Sequence, residues 1–278
     1  MRFVKKISTL KKIISHRKKK GDIIGFVPTM GYIHEGHLSL VRTARKQSQF
    51  VVVSIFVNPP QFGPKEDFRA YPRDLKRDMQ LLKKEGVDVI FNPTNKEIYP
   101  EGYKTYVEVF DLSKILCGVS RPTHFQGVTT IVLKLFNIVQ PDIAVFGKKD
   151  YQQTVIIRQM VKDLNLDVKI VIGKIVREKD GLAMSSRNTY LSNDERRRAV
   201  VLYRSLQWVK NAYKKGLRNP KKATQRINNM ISKRGGRVNY VEAVDKDTLK
   251  PVRNLKKGTL IGLAVYFGKT RLIDNIII

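Results

Sequence analysis

Apolar residues along the chain fall into two alternating rhythms. Ile23-Ile24-Gly25-Phe26-Val27 and Phe50-Val51-Val52-Val53-Ser54-Ile55-Phe56-Val57 are continuous apolar runs. The second is rich in β-branched residues and lacks alternation, so it predicts a strand covered on both faces of a parallel sheet. Ile7, Leu10, Ile13 and Ile14 recur at helical spacing and predict an amphipathic helix over 7–20; the stretch from Leu38 to about Gln47 predicts another. The alternation continues with a helix over Asp74–Glu85 and a strand over Val87–Phe91, then a helix over Val128–Val139 and a strand over Asp142–Phe146. A helix over 151–164 and a strand over Val168–Ile172 follow, and Thr105–Val109 predicts a short additional strand.

Strands alternating with helices imply crossover connections and a parallel sheet, hence an α/β fold. After Arg177–Ser192 the pattern changes to long basic helices over Asn193–Lys215 and Pro220–Lys233, then strands over Val238–Val244 and Leu260–Phe267. This predicts a smaller α+β unit. The boundary falls near 177–188 and is placed to give a sheet domain over 1–180 and a second domain over 181–278. In open parallel sheets ligands bind outside the carboxyl ends of the strands. Those ends carry Thr29–His37, Asn58–Phe62, Gly147–Asp150 and the region after Val176.

Charge complicates the picture. With 54 Lys and Arg against 24 Asp and Glu, the formal net charge is +30, the footprint of a polyanion binder. Basic blocks lie at Lys11-Lys12 with Arg17–Lys20, and from Arg196 to Arg237, where no acidic residue occurs. Neither carries an RNA-binding aromatic signature, a zinc-finger spacing or a recognition helix, so no specific nucleic-acid partner is expected. No apolar run approaches the ~18–20 residues that span a bilayer, and no secretory signal is evident. The single cysteine, Cys117, excludes an internal disulfide and suits a reducing cytoplasm.

The first crossover holds Pro28-Thr29-Met30-Gly31-Tyr32-Ile33-His34-Glu35-Gly36-His37, with two of the four histidines. Three readings compete. One is an ordinary turn with solvated imidazoles. A second is a metal pair, but zinc helices space their histidines i, i+4, and few other ligands are available. The third is a nucleotide site at a helix N-terminus, both imidazoles donating to phosphate as charge develops and both glycines admitting the phosphate to the backbone.

This stretch, with Asn58-Pro59-Pro60-Gln61-Phe62, Phe146-Gly147-Lys148-Lys149-Asp150-Tyr151-Gln152-Gln153 and Met184-Ser185-Ser186-Arg187-Asn188, resembles the pantothenate synthetase family in order and spacing. The resemblance covers essentially the whole chain, including Arg121–Phe125 and Tyr240–Asp245. It implies a Rossmann-like domain with a C-terminal lid, in a cytoplasmic homodimer. The implied reaction is the ATP-dependent ligation of pantoate to β-alanine through a pantoyl adenylate, releasing AMP and pyrophosphate. His34 and His37 would bind the ATP phosphates, with His37 the acid for the leaving pyrophosphate, and Lys149 would bind phosphate. Met30, Gly31, Tyr32, Ile33, Glu35 and Gly36 would wrap ATP. Gly147, Lys148 and Asp150 would run along it, Asp150 at the ribose, and Val176 would meet adenine. Met184 belongs to the same ATP-binding set, with Ser185, Ser186 and Arg187 clamping the phosphates. Gln61 and Gln153 would hold pantoate and β-alanine. Mg²⁺ would arrive on ATP without a protein cage. Two departures stand out. Thr123 replaces a usual glycine, which questions the loop conformation; Lys148 replaces a frequent acidic residue, adding charge near the phosphates.

Overall fold

The computed structural model describes residues 1–64 and 66–278. Six strands form one parallel sheet: β1 (Arg2–Val4), β2 (Ile24–Thr29), β3 (Phe50–Ile55), β4 (Val89–Phe91), β5 (Ile143–Gly147) and β6 (Lys169–Gly173), in the order β1-β4-β3-β2-β5-β6. Every residue of β3 is buried, as its unbroken apolar run required. Helices at 7–19, 124–139 and 151–163 cover one face around Phe26, Phe91 and Phe146; those at 35–45 and 75–84 cover the other around Val27, Val51 and Val53. From β2 the chain winds outward through β3 to β4, then returns to place β5 on the opposite side. The reversal between β2 and β5 leaves a crevice at their carboxyl ends, where Thr29–His37 and Gly147–Asp150 emerge.

The second sheet is antiparallel: β7 (Arg237–Asp245), β8 (Thr259–Phe267) and β9 (Thr270–Ile277). Helices at 201–214 and 220–232 pack on it through Leu206, Val209, Ile227 and Ile231. Tyr151 and Val155 pack with Val244 and Leu260, joining the two sheets beside the crevice.

The structure departs from the sequence expectation at five places. Strands β1 and β9 were not foreseen. Residues 105–109 form no strand, because the Val107 N–H donates to Thr130 Oγ1 at 3.0 Å and its carbonyl accepts from Thr129 Oγ1 at 2.5 Å, so two threonines replace a ladder. The helix expected from Val128 begins a turn earlier, at His124; a Cβ on Gly127 would lie 2.5 Å from Pro60 and Gln61 backbone, so that glycine is a packing contact inside the helix. The basic helix over 193–215 is two, Asn193–Ala199 and Val201–Lys214, meeting at Val200.

Candidate active site

Gly31 sits at φ +88° in the turn after β2, where a Cβ would come within 2.9 Å of Ile55 and 3.1 Å of Asp78 Oδ2. Asp78, buried on the helix at 75–84, accepts from the Tyr32 N–H at 2.8 Å and the Ile33 N–H at 2.7 Å. The anion at this turn is therefore the protein's own carboxylate. Gly31 and Tyr32 line a neighbouring pocket with Asp78, while Met30, His34, Gly36 and His37 line the cavity between the two sheets. Nothing in the sequence near the motif announced Asp78, which lies 46 residues beyond Tyr32.

His34 is the N-cap of the helix at 35–45. Its Nδ1 accepts the Gly36 N–H at 3.1 Å, and His37 Nδ1 accepts the His34 N–H at 3.4 Å, each imidazole satisfying an orphan donor of the first turn. The rings stack with centroids 4.0 Å apart. A Cβ on Gly36 would fall 2.8 Å from the His34 ring, so this glycine makes room for an imidazole. With each Nδ1 an acceptor, the proton of the neutral ring resides on Nε2. Burial, reinforced by Lys149, lowers the His34 pKa to about 4; burial and then His34 and Lys149 hold His37 well below its usual value. Both rings are thus neutral donors near pH 7. The Glu35 side chain pairs with Arg42 at the surface.

Gln61 follows β3. Its Nε2 donates to Met30 Sδ at 2.8 Å and its Oε1 accepts from Asn58 Nδ2 at 3.2 Å, while Asn58 also donates to the Gly127 carbonyl at 3.0 Å and accepts from the Tyr99 hydroxyl at 2.7 Å. His124 Nδ1 donates to the Gln61 carbonyl at 2.8 Å and its Nε2 accepts from Arg121 at 3.1 Å; burial drives this ring's pKa down to about 3. Gln152 and Gln153 divide two tasks. Gln152 is buried and bonds to the backbone of Cys117, Leu112 and Ile115, whereas Gln153 faces the cavity and makes no side-chain bond among the described residues. Thr123 sits at φ −94°, a conformation open to any residue with a side chain.

Lys149 and Asp150 line the cavity beside Gly147, and Asn275 on β9 holds the loop by donating to the carbonyls of Lys148 and Lys149, each at 2.9 Å. Lys148 is not among the residues that line it. Opposite stand Val176, Met184, Ser185, Ser186 and Arg187. Ser185 caps its own turn through the Arg187 N–H at 3.3 Å, and Ser186 Oγ donates to the Tyr32 carbonyl at 3.3 Å. Arg187 forks onto Asp67 through Nε at 2.9 Å and Nη2 at 2.8 Å, over the ring of Tyr71. Asp67, Tyr71, Arg121 and His124 were not among the expected site residues. Acidic residues in a polar loop carry no mark of their partner in the sequence.

The resulting cavity, about 280 Å³, lies between the two sheets and gathers Met30, His34, Gly36, His37, Gln61, Gly147, Lys149, Asp150, Gln153 and the Val176–Arg187 arm. Neutral imidazole donors, a Lys149 ammonium without an acidic partner among the described residues, and the unbonded Gln153 amide suit an anion beside a small hydroxy acid. Among the described residues no three or more His, Cys, Asp or Glu side chains are placed to hold a metal ion.

A sequence model described as pantoate-beta-alanine ligase matches residues 2–277. The pantothenate synthetase of Caldicellulosiruptor saccharolyticus is 56% identical over 276 residues, covering 99% of this chain and 98% of that protein. The crystal structure of pantothenate synthetase from Thermus thermophilus superposes with TM-score 0.95 at 45% identity, over 99% of both chains. The pantoate-beta-alanine ligase of Francisella tularensis, complexed with beta-gamma ATP and beta-alanine, gives TM-score 0.83 at 38% identity over 100% of this chain and 97% of that one. Matched over its length by the family and by relatives with more than half their residues in common, the chain belongs to the pantoate–β-alanine ligase family.

Proposed function

We propose that this cleft performs the family's reaction, the ATP-dependent condensation of pantoate with β-alanine, in two steps. A pantoate carboxylate oxygen attacks the α-phosphorus of ATP as the bond to pyrophosphate breaks, leaving a pantoyl adenylate. The amine nitrogen of β-alanine then bonds to the acyl carbon, the carbon–oxygen bond to AMP breaks, and the nitrogen releases a proton. A carboxylate is a poor electrophile; adenylation supplies its leaving group, so no nucleophilic residue is needed.

The observation that carries this reading is the reciprocal cap of His34 and His37, which leaves both Nε2–H groups for phosphate oxygens in the cavity that Lys149 lines. Donors fixed before the substrate arrives stabilise developing charge without reorganising. Burial, with His34 and Lys149, lowers the His37 pKa, so its neutral Nε2–H meets the phosphates as a hydrogen-bond donor, and His37 keeps the role of assisting the departing pyrophosphate. Asp150 meets the ribose, the Val176 backbone meets adenine, and Gln61 and Gln153 hold pantoate. Arg187 reaches the phosphates by exchanging its Asp67 partner for a triphosphate oxygen. Mg²⁺ would travel on the triphosphate and its water, and no step is assigned to it.

We further place the domain boundary at 180/181 and the smaller unit as the cover that excludes water from the adenylate. The protein works as a cytoplasmic homodimer; among the described residues no helix is long and apolar enough to cross a membrane, and exposed Phe110 and Val119 offer an apolar contact. The test is an assay of AMP and pantothenate formation with each substrate omitted in turn. Both products should require all three substrates. A stable nucleotidyl product from ATP and pantoate, unchanged by β-alanine, would transfer the chain's chemistry to the wider nucleotidyltransferase class.

A further inference from the structure

Among the described residues the cavity wall carries three arginines and two lysines: Arg121, Arg187, Arg271, Lys149 and the exposed Lys174. Arg121 is neutralised by Glu66 and Arg187 by Asp67. Arg271, on β9, has no acidic partner among the described residues. Its Nε and Nη2 both donate to the neutral Asn239 Oδ1, at 3.1 and 3.0 Å, and Nη2 also reaches Cys117 Sγ at 3.4 Å. One edge of the guanidinium is thereby anchored, and among the described residues Nη1 has no acceptor. The Tyr240 hydroxyl, 3.2 Å from Cys117 Sγ, lines the same end of the cavity.

The two unpaired cations nearest the reacting groups stand at different ends. Lys149 acts on His34 and His37, at the phosphate end. Arg271 acts on His124, which is bonded to the Gln61 carbonyl, at the hydroxy-acid end. Once adenylation has turned the pantoate carboxylate into an acyl phosphate, the remaining substrate anion is the carboxylate of the incoming amine.

We propose that Arg271 is the carboxylate anchor for the amine substrate, with Asn239 fixing its guanidinium and Tyr240 adding a hydroxyl donor; this rests on the ligase reading above. An anion held at a fixed cation sets how far the amine reaches toward the acyl carbon, so Arg271 also measures the length of the amino acid. Charge-assisted bonds of this kind are worth about ten- to a hundredfold in binding.

The experiment compares the unsubstituted protein with Arg271→Gln and Arg271→Lys, measuring thermal midpoints, pantoate-dependent ATP–pyrophosphate exchange, and amide formation with β-alanine and with hydroxylamine, an amine lacking a carboxylate. Arg271→Gln should raise the β-alanine KM about ten- to a hundredfold. It should keep exchange and its pantoate KM within about twofold, and leave hydroxylamine turnover unchanged; Arg271→Lys should recover part of the β-alanine affinity. An unchanged β-alanine KM, or a rise confined to the pantoate KM in the exchange assay, overturns the assignment. If Arg271→Gln lowers the midpoint and abolishes every activity, the Lys variant decides, since a folded Arg271→Lys with unaltered β-alanine KM also overturns it. Absence of pantoate-dependent exchange in the unsubstituted protein would instead be the failure of the ligase reading, and would remove this proposal with it.

Discussion

His34 and His37 hold each other across three residues and are held neutral by burial; Arg187 holds Asp67 across 120 residues and is charged. These are the two sides of one cleft. On the first, a local capping pattern satisfies the backbone and leaves fixed donors. On the second, the charged groups already have protein partners: Arg187 with Asp67, and Arg121 with Glu66. A neutral donor has no counter-charge to give up when a phosphate arrives. A paired arginine must exchange one anion for another, so its net gain is smaller. The first side is built for preorganisation and the second for exchange.

The comparison breaks most sharply at His37. His37→Ala removes one fixed donor and half the cap, and pantoate-dependent ATP–pyrophosphate exchange should fall about 10²- to 10³-fold. The cap itself is worth about 1 kcal/mol, so the thermal midpoint should drop by only a few degrees. Full exchange activity in the variant would show that the first side does no more than fold the turn.

Neutrality itself can be tested by pH. His34 titrates at about 4 and His124 at about 3 in the folded chain, while His37 also lies well below its usual value. Unfolded histidines titrate near 6.5. Between about pH 5 and 6.5 the unfolded chain therefore binds more protons, and stability must rise with pH before levelling off above about 7. Each such histidine contributes up to about 1 kcal/mol per pH unit in that window. Urea midpoints between pH 5 and 7 measure the slope, and His124→Asn should reduce it. A flat profile would mean the imidazoles are not held neutral.

The smallest effect is expected where exchange is at stake. Asp67→Asn removes the anion that competes for Arg187, and the KM for ATP should fall about two- to fivefold, as befits a part-exposed ion pair. A rise in that KM would assign Asp67 to positioning Arg187 rather than competing for it.

Much of this was legible in the chain. The β-branched run at 50–57 could only be a buried strand, and the alternation with amphipathic helices implied an α/β sheet whose strand ends bear the polar segments. Where pattern failed, the reason was partner identity. Strands β1 and β9 are not apolar runs of the kind that announced β3. Residues 105–109 had the pattern of a strand, but two threonine hydroxyls took its backbone bonds. The helix predicted from Val128 starts a turn earlier, with Gly127 kept small by the Pro60 backbone against it.

The sequence by itself determined the alternation of buried strands with amphipathic helices in the parallel sheet and set His34 and His37 at one helix entry, since both depend on spacings of a few residues. Only the tertiary structure decided which groups meet across the cleft: that Asp78 accepts the N–H groups of Tyr32 and Ile33, that Asn275 on the last strand steadies the Lys148–Lys149 loop, and that Arg271 lacks an acid among the described residues. Local periodicity records which side of an element is buried. Pairing between distant charges leaves no periodic trace, because any of the 54 cations could have met any of the 24 acids until the chain folded.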